Sequence, residues 1–341
     1  MRPSDARMVL ITLSLGALVS CVSGVQAEVV MEWVNVGDAG NAPDTEIMID
    51  GTTGYGSVSY TYQIGKFEVT NAQYIEFLNA VARVEDSYGL YNSTETGYGI
   101  ERFGMPGNCH YGPKGGDLGW LNKPVNYVSW YDSIRFANWL HNGQPTGLQD
   151  ASTTEDGAYD LSLGADAVRK PGAKVFLPGE NEWYKAAYYK GGSTDAGYWD
   201  YATQSDVAPD NNPPSADTGN STNHFDEAAG YPEGFAVGPP YLATDVGAYA
   251  MSVSGYGTYD QNGNMWEWLE VRFVDVYGRL YARTRGGGWS DEDGQVAACR
   301  SGGAFPTWES PYAGIRLAAV PEPSTLSLLA LGVLAAIRRR R

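Results

Sequence analysis

The amino-acid sequence predicts a loop-rich α+β domain with few helices and short strands. Glycine, 43 of the 341 residues, stands at nearly twice its usual share of about 7%, and charged residues, at 18%, fall below the typical ~25%. Both features favour loops and turns over long amphipathic helices. The 24 tyrosines and 10 tryptophans supply apolar area that can offset chain entropy, so the chain packs instead of remaining disordered. Between residue 28 and about residue 319 there is no long linker, fixed-period repeat or low-complexity segment. A single large domain is the expectation.

Each element has a local reason. Residues 60–69 read as a strand that stops at Thr70, where Thr70 and Gln73 form a capping box. Tyr74, Phe77, Leu78 and Val81 then recur at helical spacing. A second helix begins at Ser129, whose hydroxyl can cap it while Asp132 occupies the positively polarised first turn, and runs to about Leu140. A third follows Pro178 and spans about residues 180–189. The remainder is short strands and long Gly, Asn, Asp and Pro loops, notably 201–257.

The formal charge is −17, and the dense basic run is confined to Arg338–Arg341. Nucleic acid is therefore excluded as a partner, because phosphate binding needs a basic face. Both ends of the chain read as addresses. Arg2 and Arg7 precede an apolar run from Met8 to Val19, and Val25-Gln26-Ala27 offers small residues for a signal peptidase, so residues 1–27 are expected to be an export signal. Leu18-Val19-Ser20-Cys21 also resembles a bacterial lipobox, which would leave a lipidated Cys21 at the mature N-terminus. At the other end, Val320-Pro321-Glu322-Pro323 leads into an apolar run over residues 326–337, closed by four arginines. Residues 320–341 thus resemble the PEP-CTERM sorting tail. That resemblance implies a transient membrane anchor handled by an exosortase in a Gram-negative bacterium that makes extracellular polysaccharide. A permanent single-span anchor is the alternative. Without these ends the body keeps Cys109 and Cys299, which suggest one disulfide in an oxidising compartment, provided that they meet.

Five motifs follow one another along the body: Pro124-Val125-Asn126-Tyr127-Val128-Ser129-Trp130; Phe176-Leu177-Pro178-Gly179-Glu180-Asn181-Glu182-Trp183; Gly263-Asn264-Met265-Trp266-Glu267-Trp268; Arg285-Gly286-Gly287-Gly288-Trp289; and Gly314-Ile315-Arg316-Leu317-Ala318. In this order, over residues 28–319, they resemble the formylglycine-generating enzyme family, also called the sulfatase-modifying factor domain. The resemblance implies a loop-rich variant of the C-type-lectin-like architecture. Tryptophans 130, 183, 266, 268 and 289 are expected chiefly in the core, where they bury large area.

Enzymes of the family oxidise a client cysteine to formylglycine with oxygen and copper held by two cysteines, a soft ligand pair that suits Cu(I). Aligning Arg300 and Ser301 with the family pattern places Glu292 and Ala297 where those cysteines belong. A register slip of two gives Cys299 the second place but Gly294 the first. Copper chemistry is not expected. His110, His141 and His224 are scattered without metal-ligand spacing, which also speaks against the family's iron-dependent sulfoxide synthases. The resemblance does imply a structural calcium, held by Asp260, the carbonyls of Gly263 and Met265, and the Glu267 carboxylate. Their spacing of three, two and two suits a tight loop around a hard cation. The alternative for Glu267 is a buried carboxylate paired with an arginine such as Arg285. A further calcium site is expected near Asn223 and Asp226. Two functions stay open: an exported module that binds polysaccharide or a protein client through the face around Trp289, Cys299 and Arg300, or an atypical oxidase or formylglycine-generating enzyme that uses Cys299.

Overall fold

The computed structural model describes residues 28–93 and 99–321. The expected export signal, the lipobox at Cys21 and the apolar part of the sorting tail lie outside these residues. Short elements alternate with long loops. In chain order they are β1 (Trp33–Val36), β2 (Tyr62–Gly65), α1 (Asn71–Val81), β3 (Ile100–Met105), β4 (Asn108–Pro113), α2 (Trp130–His141), β5 (Val175–Phe176), α3 (Glu180–Tyr188), β6 (Trp266–Val274), β7 (Leu280–Arg285), β8 (Gly302–Ala304), β9 (Ala313–Gly314) and β10 (Ala318–Ala319).

The helices start where their capping chemistry dictates. Gln73 N donates to Thr70 Oγ1 (3.2 Å) and Thr70 N to Gln73 Oε1 (2.9 Å), closing the box before α1. Ser129 and Asp132 form the same reciprocal pair before α2, at 3.1 and 2.8 Å. Before α3, Gly179 has no side chain to offer, so Glu182 alone reaches back to the Gly179 N–H (2.6 Å). The expected strand over 60–69 is shorter, four residues, because its continuation pairs with loops instead of a strand.

Two four-stranded sheets frame the molecule. The first has the order β1-β2-β10-β5 and the second β8-β7-β6-β9, while β3 and β4 form a separate hairpin. Placing β10, from the end of the domain, between β2 and β5 brings Ala318 opposite both Ile64 and Phe176. The ends of the domain are thereby tied together. In the second sheet β9 runs parallel to β6, so that Glu267 lies opposite Gly314. Phe77, Phe136 and Trp139 pack ring against ring between α1 and α2, with centroids 5.2–5.8 Å apart. The buried indoles keep their N–H groups satisfied: Trp130 donates to Leu269 O (2.9 Å) and Trp268 to Val128 O (3.0 Å). These two bonds lock the start of α2 onto β6.

Candidate functional site

The loop that enters β6 is built around unusual backbone conformations. Asp260 and Asn264 have φ of 60° and Gly263 has φ of 78°. Glycine is required at 263, since a Cβ there would collide with the Asn223 backbone. Asn264 works as a hub. Its Oδ1 accepts from Thr244 N (3.0 Å) and Asn223 Nδ2 (3.0 Å), and its Nδ2 donates to Glu68 Oε2 (2.8 Å). These bonds offset the strain of a left-handed asparagine.

Glu267 lies just beyond the loop and is fully buried. Its partner is Arg316, not Arg285. Arg316 donates to Glu267 Oε1 (2.7 Å) and Oε2 (2.8 Å), and its remaining donors reach Gly65 O (2.8 Å) and Tyr259 O (2.7 Å). Trp183 Nε1 adds a further bond to Glu267 Oε2 (2.6 Å). Arg285 instead pairs with Glu180 (2.8 Å) and donates to the carbonyls of Ala298 and Arg300. Glu267 therefore contributes a charge that is already balanced, and the unbalanced acid of the loop is Asp260. Burial pushes the Asp260 carboxyl up to about 6. Among the described residues no three His, Cys, Asp or Glu side chains converge as a metal group. A hard cation here would draw on Asp260 and on carbonyl oxygens, the donor types that calcium accepts. In charge and donor chemistry the loop fits such an ion.

The expected ligand face is not assembled as one surface. Trp289 is a core residue, 6% exposed, covered by Phe235, Met265 and Tyr312, with its indole N–H on Pro311 O (3.2 Å). Cys299 belongs to a different cluster, beside Trp183, Tyr184 and Tyr198. Its thiol is half-buried and pushed up by burial and by the Glu46 carboxylate, the reverse of an activated thiolate. Cys109 lies on the β3–β4 hairpin, where Sγ donates to Met105 O (3.3 Å), and both thiols are free. The histidines are likewise apart: His110 stacks on Phe103, His141 accepts from Lys174 N, and His224 meets Thr222 Oγ1.

Near Arg300 the structure has a feature that sequence reasoning missed. A cleft of about 400 Å³ is lined by Asp210, His224, Asp226, Glu227, Glu292 and Asp293. Arg300 Nε donates to Gly294 O (3.2 Å), which ties it to the turn that carries Glu292 and Asp293. The cleft separates the two residues of the expected further calcium site. Asp226 lines it, whereas Asn223 is buried and bonded to Leu242 O and Asn264. The cleft draws residues from three distant segments, which left it invisible in the linear order; the acidic run 291–293 was its one visible part.

The family described as sulfatase-modifying factor enzyme 1-like domain matches residues 44–320, and the PEP-CTERM protein-sorting motif matches residues 319–341. No curated protein matches the chain significantly. Among solved structures, Treponema denticola variable protein 1 superposes with a TM-score of 0.50 at 19% identity, covering 85% of this chain and 95% of its own. CarF gives 0.47 at 20% identity, with 86% and 99% covered, and PvdO from Pseudomonas aeruginosa gives 0.45 at 16%, with 85% and 92% covered.

Proposed function

The chain belongs to the sulfatase-modifying factor enzyme 1-like family and carries a PEP-CTERM motif, which marks it for export and exosortase-based sorting to the cell envelope of a Gram-negative bacterium; from that premise we propose that it is a non-catalytic binding module for extracellular polysaccharide. The observation that carries this reading is the identity of one residue. Glu292, which the Arg300-Ser301 alignment places at a family cysteine position, lines an open acidic cleft. A pair of thiolates suits Cu(I), whereas Glu292, Asp293, Asp226 and Asp210 are hard acceptors that suit hydroxyl donors. A sugar chain offers such hydroxyls at every residue, and bonds from them to carboxylates are stronger than neutral ones. The alternative use of Cys299 as a reactive group has less support, since its thiol is raised and half-buried. The reading includes a structural calcium at Asp260, with the carbonyls of Gly263 and Met265 and with Glu267 adjoining and neutralised by Arg316.

The double variant Glu292→Gln, Asp293→Asn tests the cleft. Each lost charge-assisted bond is worth about 1.5–3 kcal/mol, so retention on the host polysaccharide should fall at least ~10-fold. Co-sedimentation with purified polysaccharide measures it. Equal retention of wild type and double variant would remove the cleft from the binding role.

A further inference from the structure

Three buried carboxylates and one buried guanidinium lie around the 260–267 loop. Glu68, Asp260 and Glu267 are 1%, 8% and 0% exposed, and Arg316 is 0% exposed. Arg316 is committed to Glu267 by the bonds described above, which leaves Glu68 and Asp260 over. Their segments run side by side. Tyr259 N donates to Lys66 O (3.0 Å), and the Phe67 and Tyr259 rings lie 5.4 Å apart. Gly247, whose N–H donates to Asp260 Oδ2 (2.6 Å), sits so close over Phe67 that a Cβ there would strike the ring.

Glu68 Oε2 accepts from Asn264 Nδ2, the hub of the loop, but Glu68 Oε1 is sealed from solvent and has no hydrogen-bond partner. Protonation does not resolve this. An ionised Oε1 lacks a donor, and a protonated one is a donor without an acceptor. A cation answers both problems at once, giving Oε1 a partner and balancing two leftover negative charges. Two charges and oxygen donors specify a hard divalent ion of the calcium type.

We propose that the Glu68 carboxylate, together with Asp260, ligates a buried divalent cation and thereby fastens the β2–α1 connection to the loop that enters β6. This rests on the reading that the loop holds calcium, and it adds a ligand from a distant segment. A cleft of about 420 Å³ that opens beside Glu68, lined also by Thr70, Asn122 and Asp245, provides a route for the ion.

The test is calcium titration calorimetry, with thermal unfolding in parallel, on the exported chain stripped by chelator. Wild type is compared with Glu68→Gln and, should that variant fold poorly, with Glu68→Asp, which keeps the charge but shortens the reach. Glu68→Gln should bind calcium about 10–100-fold more weakly than wild type. In chelator it should melt no lower than wild type, because a neutral isostere relieves the repulsion, whereas in excess calcium wild type should melt higher. Glu68→Asp should fall between the two in affinity. Either variant binding calcium with wild-type affinity would overturn the Glu68 assignment while leaving calcium on the loop. Wild type that takes up no calcium, and melts alike with calcium and chelator, would overturn both.

Discussion

Replacing Arg316 with methionine should destabilise the protein by about 3–5 kcal/mol, because removing one partner of a buried ion pair leaves an uncompensated charge in the core. The position leaves no way to relax. Glu267 is fully buried, and the same guanidinium also satisfies the carbonyls of Gly65 and Tyr259, which would lose their donors together. Gly65 ends β2, so the loss would loosen the first sheet, while Glu267 pairs across from Gly314 in the second. One side chain therefore ties the two sheets and the 260–267 loop. The double variant Arg316→Met, Glu267→Gln should recover part of the loss, since a neutral amide oxygen can still accept from Trp183. Urea unfolding of the three proteins measures these differences. A loss below about 1 kcal/mol for Arg316→Met, the range of an exposed pair, would contradict this account of the core.

Raising the pH should destabilise the protein, contrary to the familiar pattern of acid denaturation. Burial pushes Asp132 up to about 6, against the opposing pull of Ser129 and Arg135, and it pushes Glu309 up to about 7, with Asp132 repelling it further. Both groups bind protons more tightly in the folded chain than in the unfolded one. Their stabilising contribution is complete below about pH 4, the unfolded range, and is lost as pH rises through the folded values near 6 and 7. For Asp132, fully enclosed, the rise to about 6 corresponds to about 3 kcal/mol. Glu309 is half-exposed and adds less. The net charge of −17 grows more repulsive over the same window. Denaturant midpoints measured in chelator should fall from about pH 4 to 8, with the burial-lowered His141 and His224 opposing part of that fall below about pH 6.5, and Asp132→Asn should flatten its lower half. A midpoint that climbs through this window would contradict the assignment.

Helix starts were legible because their chemistry is local. Thr70 and Gln73 close the box that their spacing predicts, and Ser129 caps α2 as expected, with Asp132 in the first turn also reaching back to it. The core role of Trp130, Trp183 and Trp268 was legible for a similar reason, since a large indole in a motif of small and apolar residues has nowhere else to go. The partners of the buried charges were not legible. Arg316 meets Glu267 across 49 residues and Gly65 across 251, and no periodicity reports such distances. A signal was nonetheless present. An arginine set between Ile315 and Leu317 is bound for the interior, and a buried arginine demands a carboxylate. Trp289 was expected chiefly in the core but was also named for the ligand face, and Phe235 and Tyr312, from other segments, close over it.

The central proposal is that this chain keeps the family's fold, carries a separate sorting motif at its end, and does not perform the family's oxidation chemistry. Its most direct test is mass spectrometry of a sulfatase-type cysteine peptide after incubation with the protein, copper and oxygen. Aligning Arg300 and Ser301 puts Glu292 and Ala297 at the cysteine positions, and a slip of two puts Gly294 and Cys299 there; Cys299 is a single raised thiol, and Cys109 lies on the separate β3–β4 hairpin. One thiolate cannot form the two-thiolate centre that soft Cu(I) requires. The account predicts a peptide of unchanged mass. An aldehyde product formed by wild type and lost in Cys299→Ala would contradict it and make the chain an enzyme.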